Sequence, residues 1–436
     1  MASYRESLAP LKAPPFGYVD ATNPPPIDPG MVYEQIDGHG LLRGFSAVPY
    51  DAEALGNAVE TDAVFRAAGL DLKTFTETTP GLVPQHAADR LKAWKGPHPD
   101  IPDTELMVEI AMWKGRVTQV VVGFPDPRAA EPARPELSFL ASIRGNFLAA
   151  TMAIAVFFAI LLARRNWRKE RVDKKGALRV AIACFVFGIG GWIGRVHPIP
   201  SKDMFDLAYS IAAESLLFAA AVWLLYMALE PDVRSRWPHA IVTWNRVLAG
   251  RWKDAQVASH VLIGAAVGTA MWTMLGIPIA EPKNTLQTGI ALWPLLGARA
   301  WAAAYVYNLQ DALSIGLLEF FAIFGLRVLL KKDWLAAIAA SVLFTITQSD
   351  ILIDPNWQKR ALIYLVLYAI LMFVLTRVGL VTAISAMFFL NAVNRVCLGS
   401  DWKAWWAPEG FATIFLLVAM ASYALWRSLG TRDLAQ

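Results

Sequence analysis

Nine runs of apolar residues recur after residue 138, and most are as long as the roughly 17–25 residues that a helix needs to cross a bilayer. They lie near 145–163, 178–196, 205–229, 259–279, 302–326, 333–348, 360–376, 378–396 and 410–426. The sixth run is short for a span. A further apolar segment, 284–298, contains Pro294 and is predicted to be re-entrant or interfacial. The pattern predicts a polytopic α-helical membrane domain of about nine spans over residues 139–436.

The first 138 residues follow another pattern. Residues 1–30 are proline-rich and are predicted to form an extended arm. Four β-like runs and one helical segment follow, at 31–36, 41–48, 51–69, 104–112 and 116–124. Short glycine-containing turns separate the β-like runs in pairs, which is typical of hairpins. We therefore expect a small α+β domain with an antiparallel sheet over residues 31–138, joined to the membrane domain by the Pro-rich stretch 125–135.

Composition agrees with a membrane protein. Apolar residues make up 56% of the 436 residues, and charged residues only 17%, against about 25% in soluble domains. Mean hydropathy is +0.40. These values exclude a simple soluble globule, a disordered chain and a nucleic-acid binder built on a basic surface. Two cysteines exclude a disulfide framework and a cysteine-rich metal module.

Charge predicts the orientation of the spans. Residues 1–138 carry 12 Lys or Arg and 19 Asp or Glu, whereas the rest of the chain carries 28 and 17. Residues 164–179 alone hold eight basic side chains, and such loops stay on the cytoplasmic side. A topology of nine spans, with the N-terminus outside and the C-terminus inside, agrees with the charge of every loop. We expect a bacterial cytoplasmic membrane protein whose N-terminal domain is extracytoplasmic.

Export of an acidic N-terminal domain needs a signal. The chain begins without an apolar signal segment, so we expect either a leader that is missing here or another export mechanism. The opposite orientation would place eight basic residues outside and is not favoured.

Two further patterns concern packing of the membrane domain. Residues 237–257 interleave Arg and Lys with Trp, Val and Leu, which predicts either an amphipathic helix on the inner leaflet or a helical connector. Gly190-x-x-x-Gly194 and Gly264-x-x-x-Gly268 predict close approach of helices within the bundle.

Ionisable residues inside spans are costly and suggest function. Asn308, Asp311 and Glu319 fall within about 80° of one another on a helix of 3.6 residues per turn, so we expect them to share a face that looks into the bundle. Other candidates are Glu214, His260, Gln348, Asn391 and Asn394. Interhelical hydrogen bonds and ion pairs are one interpretation of this set; a proton or ion path and a catalytic carboxylate are the others.

Cofactor signals are weak. His39, His86 and His98 lie in predicted loops without metal-ligand spacing, so no metal site is predicted. Haem, flavin and nucleotide cofactors are not predicted either. We expect bound lipids. Contacts to pigment or quinone stay open, because the apolar surfaces that bind them have no identifying sequence motif.

From about residue 302 the chain resembles the CAAX-protease and bacteriocin-processing (CPBP) membrane family. That family presents Glu-Glu-x-x-x-Arg, Phe-x-x-x-His and His-x-x-x-Asn or Asp. The corresponding residues here are Leu318, Glu319, Ile323, Phe344, Gln348, Met387 and Asn391. One glutamate, the arginine and both histidines of the family are therefore replaced. The resemblance implies the fold of the CPBP family. It also implies a pseudoenzyme, because a general base needs a polar partner and the partners found in the family are replaced here.

Most of the chain also resembles the non-kinase C-terminal module of acidobacterial-type transmembrane serine/threonine kinases. Segments that carry this resemblance include NPPPIDPGMVYEQIDGHGLLRGFSAVP and LEPDVRSRWPHAIVTWNRVLAGRWKD. In that family a kinase and one span precede an external domain and a multi-span module. This chain contains no His-Arg-Asp and no Asp-Phe-Gly motif, so kinase activity is not implied.

Three functions follow from these patterns. The first is a non-catalytic accessory, scaffold or sensor-like subunit that associates with other membrane proteins, gripping a partner with its N-terminal arm and outer domain. The second is an intramembrane protease with an altered site around Glu319, assisted by Gln348 and Asn391. The third is an ion or solute transporter that uses Asp311 and Glu319; the absence of paired broken helices from the sequence pattern disfavours it.

Overall fold

The computed structural model describes residues 2–12, 17–20, 22–37, 39–49, 61–99, 101, 103–124, 156–200, 202–276, 293–348, 351, 357–396 and 402–429. Contacts divide the chain into two compact units. One comprises residues 1–134, 196–209 and 403–405, and the other comprises residues 135–195, 210–402 and 406–436.

The first unit is built on one antiparallel sheet. Its elements are β1 (Ala2–Glu6), β2 (Val32–Ile36), β3 (Leu42–Ala47), α1 (Thr61–Ala67), β4 (Thr76–Thr78), β5 (Arg90–Pro97), β6 (Glu105–Trp113) and β7 (Arg116–Gly123). The strand order is β1-β2-β3-β7-β6-β5-β4. Both predicted hairpins, β2–β3 and β6–β7, are confirmed. Of the predicted helix over 51–69, residues 51–60 lie outside the described residues, as does the linker 125–135.

Turn chemistry sets both hairpins. In β6–β7, Trp113 pairs with Arg116, and the two residues between them have φ angles of 49° and 81°, which is the backbone of a type I′ turn. In β2–β3, the Asp37 carboxylate accepts hydrogen bonds from the backbone N–H groups of His39 (2.8 Å) and Leu41 (3.0 Å) and from Arg43. Partial burial opposes ionisation, but these bonds outweigh it and lower the pKa of Asp37.

An aromatic cluster forms the core of the sheet domain. Phe65 of α1 is fully buried, and its ring packs edge-to-face on Phe75 at 5.2 Å and on Trp94 at 5.6 Å between centroids. Val108 and Ile110 of β6 point to the same cluster and are also buried. Burying each such side chain contributes about 2 kcal/mol, so α1 is held to one face of the sheet.

The described part of the N-terminal arm bonds to its own chain. β1 pairs with β2 as an edge strand, and Arg5 donates to the carbonyl oxygens of Asp20 and Pro24, each at 2.7 Å. Further along, Lys12 forms an ion pair with Asp203 at 2.5 Å. The arm is therefore ordered by intramolecular contacts where it is described.

The second unit is helical. It contains a helix described from 156 to 168 (α2), α3 (Lys174–Arg195), most of α4 (Lys202–Arg236), α5 (Pro238–Leu248), α6 (Ala255–Gly276), α7 (Ala298–Leu330), α8 (Asp333–Thr347), α9 (Trp357–Arg377), α10 (Leu380–Val393) and α11 (Ala407–Ser428). Among the described helices, six are long and apolar enough to cross a membrane: α3, α4, α6, α7, α9 and α11. The chain is thus a multi-pass α-helical membrane protein with a small antiparallel-sheet domain.

Two predicted runs form helices shorter than a simple span. The shorter apolar helices α8 and α10 have 15 and 14 residues, and α10 buries eight of its side chains within the bundle. Most of the first predicted run, 145–163, lies outside the described residues. The predicted re-entrant segment also lies mostly outside them, and Trp293–Leu295 at its end forms a 3₁₀ turn.

Glycines bring two helix pairs close together, as predicted. A Cβ at Gly264 would lie 2.6 Å from the Thr382 carbonyl oxygen, and a Cβ at Gly268 would collide with the Ala386 carbonyl. A Cβ at Gly194 would similarly lie 2.5 Å from that of Ala303. Only glycine allows backbones to approach this closely, so α6 packs on α10 and α3 packs on α7 through these positions.

Helix α4 continues through a proline because another helix supplies a donor. Pro231 lacks an N–H, which removes the intrahelical bond to the carbonyl four residues earlier, that of Met227. The buried Asn166 side chain of α2 donates to the Ala228 carbonyl at 2.9 Å and approaches that of Met227 at 3.4 Å. These bonds tie α2 to α4 at the point where the ladder is broken.

Helix α5 packs against protein. Its apolar face buries Ala240, Ile241 and Trp244, and a Cβ at Gly379 would lie 2.7 Å from the Ala240 carbonyl oxygen. This packing favours the connector interpretation of residues 237–257 over a helix whose apolar face lies in the inner leaflet.

Candidate intramembrane polar site

Helix α7 carries the central polar residues. Its apolar sequence has no proline in 33 residues, and it ends where Lys331 adopts a left-handed conformation. Asn308 and Glu319 are both completely buried. Eleven residues separate them, which is three turns and about 16 Å along the axis. They therefore share a buried face of α7 at two different depths.

Asn308 has a structural contact. Its side-chain Nδ2 donates to the carbonyl oxygen of Phe388 at 2.9 Å, which joins α7 to α10. Its Oδ1 has no hydrogen-bond partner in the described part of the chain. An interhelical amide bond of this kind is worth about 1 kcal/mol in a membrane.

Glu319 is enclosed without a partner. Neither carboxyl oxygen has a hydrogen-bond partner among the described residues, and the side chain has no exposed surface. Its neighbours on α7, Phe320 and Ile323, belong to the buried apolar core. Burying an ionised carboxylate without a counter-ion costs several kcal/mol, so the site lacks the groups that would hold a charged general base.

Asp311 lies in a different environment. Unlike Asn308 and Glu319, it is exposed, and its electrostatic partner is Arg395, just beyond α10. Arg395 itself donates to the Ala304 carbonyl oxygen at 2.8 Å. Of the three side chains that the sequence places on one face, Asn308 and Glu319 are therefore enclosed, whereas Asp311 is exposed near the half-buried Arg395.

The CPBP-like positions do not converge on Glu319 by hydrogen bonds. Gln348 caps the C-terminus of α8 and donates to the Tyr368 hydroxyl at 2.5 Å, while Phe344 stacks on the same ring at 5.6 Å. Asn391 is half-buried in α10. Counting from the α7–α8 turn at 1.5 Å per residue, Gln348 lies about 6 Å farther from the turn than Glu319. Gln348 and Phe344 therefore tie α8 to α9.

Glu214 and His260 also lie apart from the enclosed pair. The His260 ring nitrogen Nδ1 is 3.0 Å from the Thr243 hydroxyl, a bond between α6 and α5. Glu214 is exposed on α4. The apolar side chains of Leu216 and Leu217 beside it are 62% and 73% exposed. Glu214 thus occupies an outward-facing apolar surface within a candidate span.

A second buried polar group was not predicted from the sequence. Tyr226, Glu230 and Trp244 line a cavity of about 360 Å³ between α2, α4, α5, α7 and α10. One Glu230 oxygen pairs with Arg234 at 3.2 Å. The other oxygen, the tyrosine hydroxyl and the indole N–H have no hydrogen-bond partners in the described part of the chain. The only signal in the sequence is Glu230-Pro231 at the end of an apolar run.

The histidines of the sheet domain have ordinary contacts. His86 Nε2 is 3.0 Å from the Ser46 hydroxyl, and burial lowers the pKa of His86. The His98 ring stacks on Phe124 at 5.7 Å. Within the described residues, no group of three His, Cys, Asp or Glu side chains is placed to hold a metal ion.

No protein-family model, curated protein or solved structure matches the chain. The two family resemblances drawn from its motifs therefore remain predictions.

Proposed function

We propose that the protein is a non-catalytic accessory subunit of a membrane-protein complex, and that the exposed face of α4 around Glu214 receives a transmembrane helix of its partner. The exposed carboxylate is the observation that carries this proposal. The centre of the predicted span 205–229 is residue 217, so Glu214 lies only about 5 Å from mid-span at 1.5 Å per residue.

A carboxylate at this depth needs a partner. Placing an acidic side chain near the bilayer centre costs about 3 kcal/mol on insertion scales, and such residues normally pair with one another or face a wet cavity. Glu214 is exposed and makes no ion pair with a described residue. A helix that presents Lys, Arg, His, Asn or Gln at this level would complement it.

The surface around Glu214 suits a helix. Ala213 and Ala220 are exposed on α4, and small residues let a second backbone approach closely. Leu216 and Leu217 flank the carboxylate and supply apolar area for packing. The proposed docking surface consists of the exposed residues Ala213, Glu214, Leu216, Leu217 and Ala220, and it combines close approach with one polar contact.

The contacts of Glu319 support the non-catalytic assignment over the protease alternative. A glutamate-activated water needs a second polar group to hold it. The hydrogen bonds of Gln348 run to Tyr368 instead, and both Glu319 oxygens lack partners among the described residues. Replacing Glu319 with Gln is expected to leave assembly with the partner unchanged.

Site-specific cross-linking in native membranes tests the docking surface. A photoreactive phenylalanine analogue at Leu217 is expected to give one adduct of constant mass, because this position lies one turn from Glu214. The same analogue at Phe415, which is 76% exposed on α11, is the control for random collisions in the bilayer.

Peptide mapping and charge reversal complete the test. We expect the cross-linked peptide to belong to a transmembrane helix with a basic or amide residue near the adduct. Glu214→Lys is expected to abolish the Leu217 adduct. Equal labelling from both positions, or an adduct insensitive to Glu214→Lys, would contradict the proposal.

We further propose nine spans in a bacterial cytoplasmic membrane, with the sheet domain outside and the C-terminus inside. Residues 197–204 and 403–405, which the predicted topology assigns to outer loops, fall in the same compact unit as the sheet domain, in support of this topology. Cysteines introduced at Ser7 and Ser235 test it with an impermeant maleimide: only the first is expected to react in intact cells.

A further inference from the structure

A groove of about 410 Å³ runs between α2, α4 and α7, separate from the polar residues of α7. Its apolar walls include Phe158 and Leu162 of α2, Phe321 and Leu329 of α7, and Leu229 of α4. Phe158 and Leu329 are 55% and 75% exposed. The volume falls within the range of small-molecule and lipid pockets.

One end of the groove is charged. Arg165 of α2 and Arg236 of α4 lie there together with Asp232. The Arg236 guanidinium stands 5.8 Å from the centre of the Phe324 ring. Neither arginine makes an ion pair with a described residue, whereas the exposed Arg234 beside them is paired with Glu230. The end therefore carries one net positive charge and two guanidinium groups available to an anion.

Two of the three walls, α2 and α4, change from apolar to charged in the same direction, and the lining residues of α7 are apolar throughout. Phe158 precedes Arg165 by seven residues, and Leu229 precedes Arg236 by seven, which is about 10 Å of helix in each case. The alternation of spans predicts that α2, α4 and α7 run parallel, with this end at the cytoplasmic surface. The groove thus has the polarity of a lipid lying along the membrane normal, with apolar side chains along its length and charged groups at one end.

We propose that this groove binds one anionic phospholipid, with its phosphate held by Arg165 and Arg236 and one acyl chain lying along Phe158 and Phe321. Guanidinium groups pair with phosphate oxygens in a bidentate manner. Asp232 at the same end disfavours a head group that carries more than one negative charge.

Substitution of Gly325 tests the contacts to the acyl chain separately from the contacts to the head group. It lines the groove on α7, and a Cβ at this position would meet nothing within 4 Å. Gly325→Leu therefore fills the groove without a backbone clash, and Gly325→Ala is its matched control. For the head group, Arg165→Gln with Arg236→Gln is compared with Arg168→Gln, an exposed arginine of α2 outside the groove.

The experiment is native mass spectrometry of the detergent-solubilised full chain with added lipid. Phosphatidylglycerol is expected to give a single retained lipid at lower concentration than phosphatidylcholine with the same chains. We expect the double arginine variant to weaken retention about fivefold per arginine, and Gly325→Leu to weaken it by tenfold or more. Gly325→Ala and Arg168→Gln are expected to bind as the wild type does.

Two results would overturn the proposal. One is equal retention of the two lipids by the wild-type chain, which identifies an unselective annular contact and does not depend on folding of any variant. The other is a response to glycerol phosphate, which lacks acyl chains, equal to the response to phosphatidylglycerol; that result identifies an anion site without a lipid groove.

Discussion

Replacing Gly264 with Ala tests the packing of α6 on α10. The added Cβ would lie 2.6 Å from the Thr382 carbonyl oxygen and 3.0 Å from the Ala386 nitrogen, where ordinary contact begins at 3.4 Å. Both are backbone atoms of a buried helix, so the two helices must separate by about 0.8 Å. Overpacking of this size costs about 1–3 kcal/mol, and the better helix propensity of Ala offsets up to about 1 kcal/mol.

The expected net loss is about 1–2 kcal/mol, which corresponds to a fall in Tm of about 2–8 °C. The assay is thermal unfolding of the full chain in one detergent, followed by helical circular dichroism. Gly276→Ala on the same helix is the control, because its Cβ would meet nothing within 4 Å. If Gly264→Ala melts at or above the temperature of that control, the close packing of these helices is wrong.

Three other changes have defined outcomes. Gly96→Ala would push a Cβ to 2.6 Å from the Phe75 ring, and the expected loss of about 1–3 kcal/mol is read from faster amide exchange in the sheet domain. Asn166→Leu leaves the Ala228 carbonyl without its side-chain donor, and the bundle should lose about 1–3 kcal/mol, seen as a lower Tm. Burial lowers the pKa of His86, so protonation of this side chain favours the unfolded domain. The contribution of His86 to the stability of the sheet domain is therefore complete above the unfolded pKa of about 6.5 and declines as pH falls below it. His86→Gln should flatten this dependence of stability on pH, measured by amide exchange in the sheet domain.

Sequence patterns located the helices well because a span is a local feature. An apolar run of about 20 residues has few alternatives to a spanning helix in a bilayer. Helices α3, α6, α9 and α11 accordingly lie within a few residues of the predicted runs. Helix α4 instead extends to Arg236, beyond the predicted end at 229. Beside the proline of this extension, Asn166 donates to carbonyl oxygens more than 60 positions away, a contact that no local pattern reveals.

The sheet and the polar site were harder to predict because they depend on contacts between segments that are far apart in the sequence. Strand β1 lies in a proline-rich arm, and the first three residues of β5 are exposed, so neither has the alternation that identifies a half-buried strand. Helical angles placed Asn308, Asp311 and Glu319 together, but Asp311 is exposed and its electrostatic partner is Arg395, which is distant in the sequence. Contacts between distant segments decided which of the three would be enclosed.

The mass of the complex extracted from native membranes decides whether the protein is an accessory subunit. We expect a particle heavier than the 47.9 kDa chain that contains a second polypeptide in a fixed ratio, and the loss of that polypeptide in Glu214→Lys but not in Glu319→Gln. A particle made only of this chain, or a complex that survives Glu214→Lys unchanged, would contradict it.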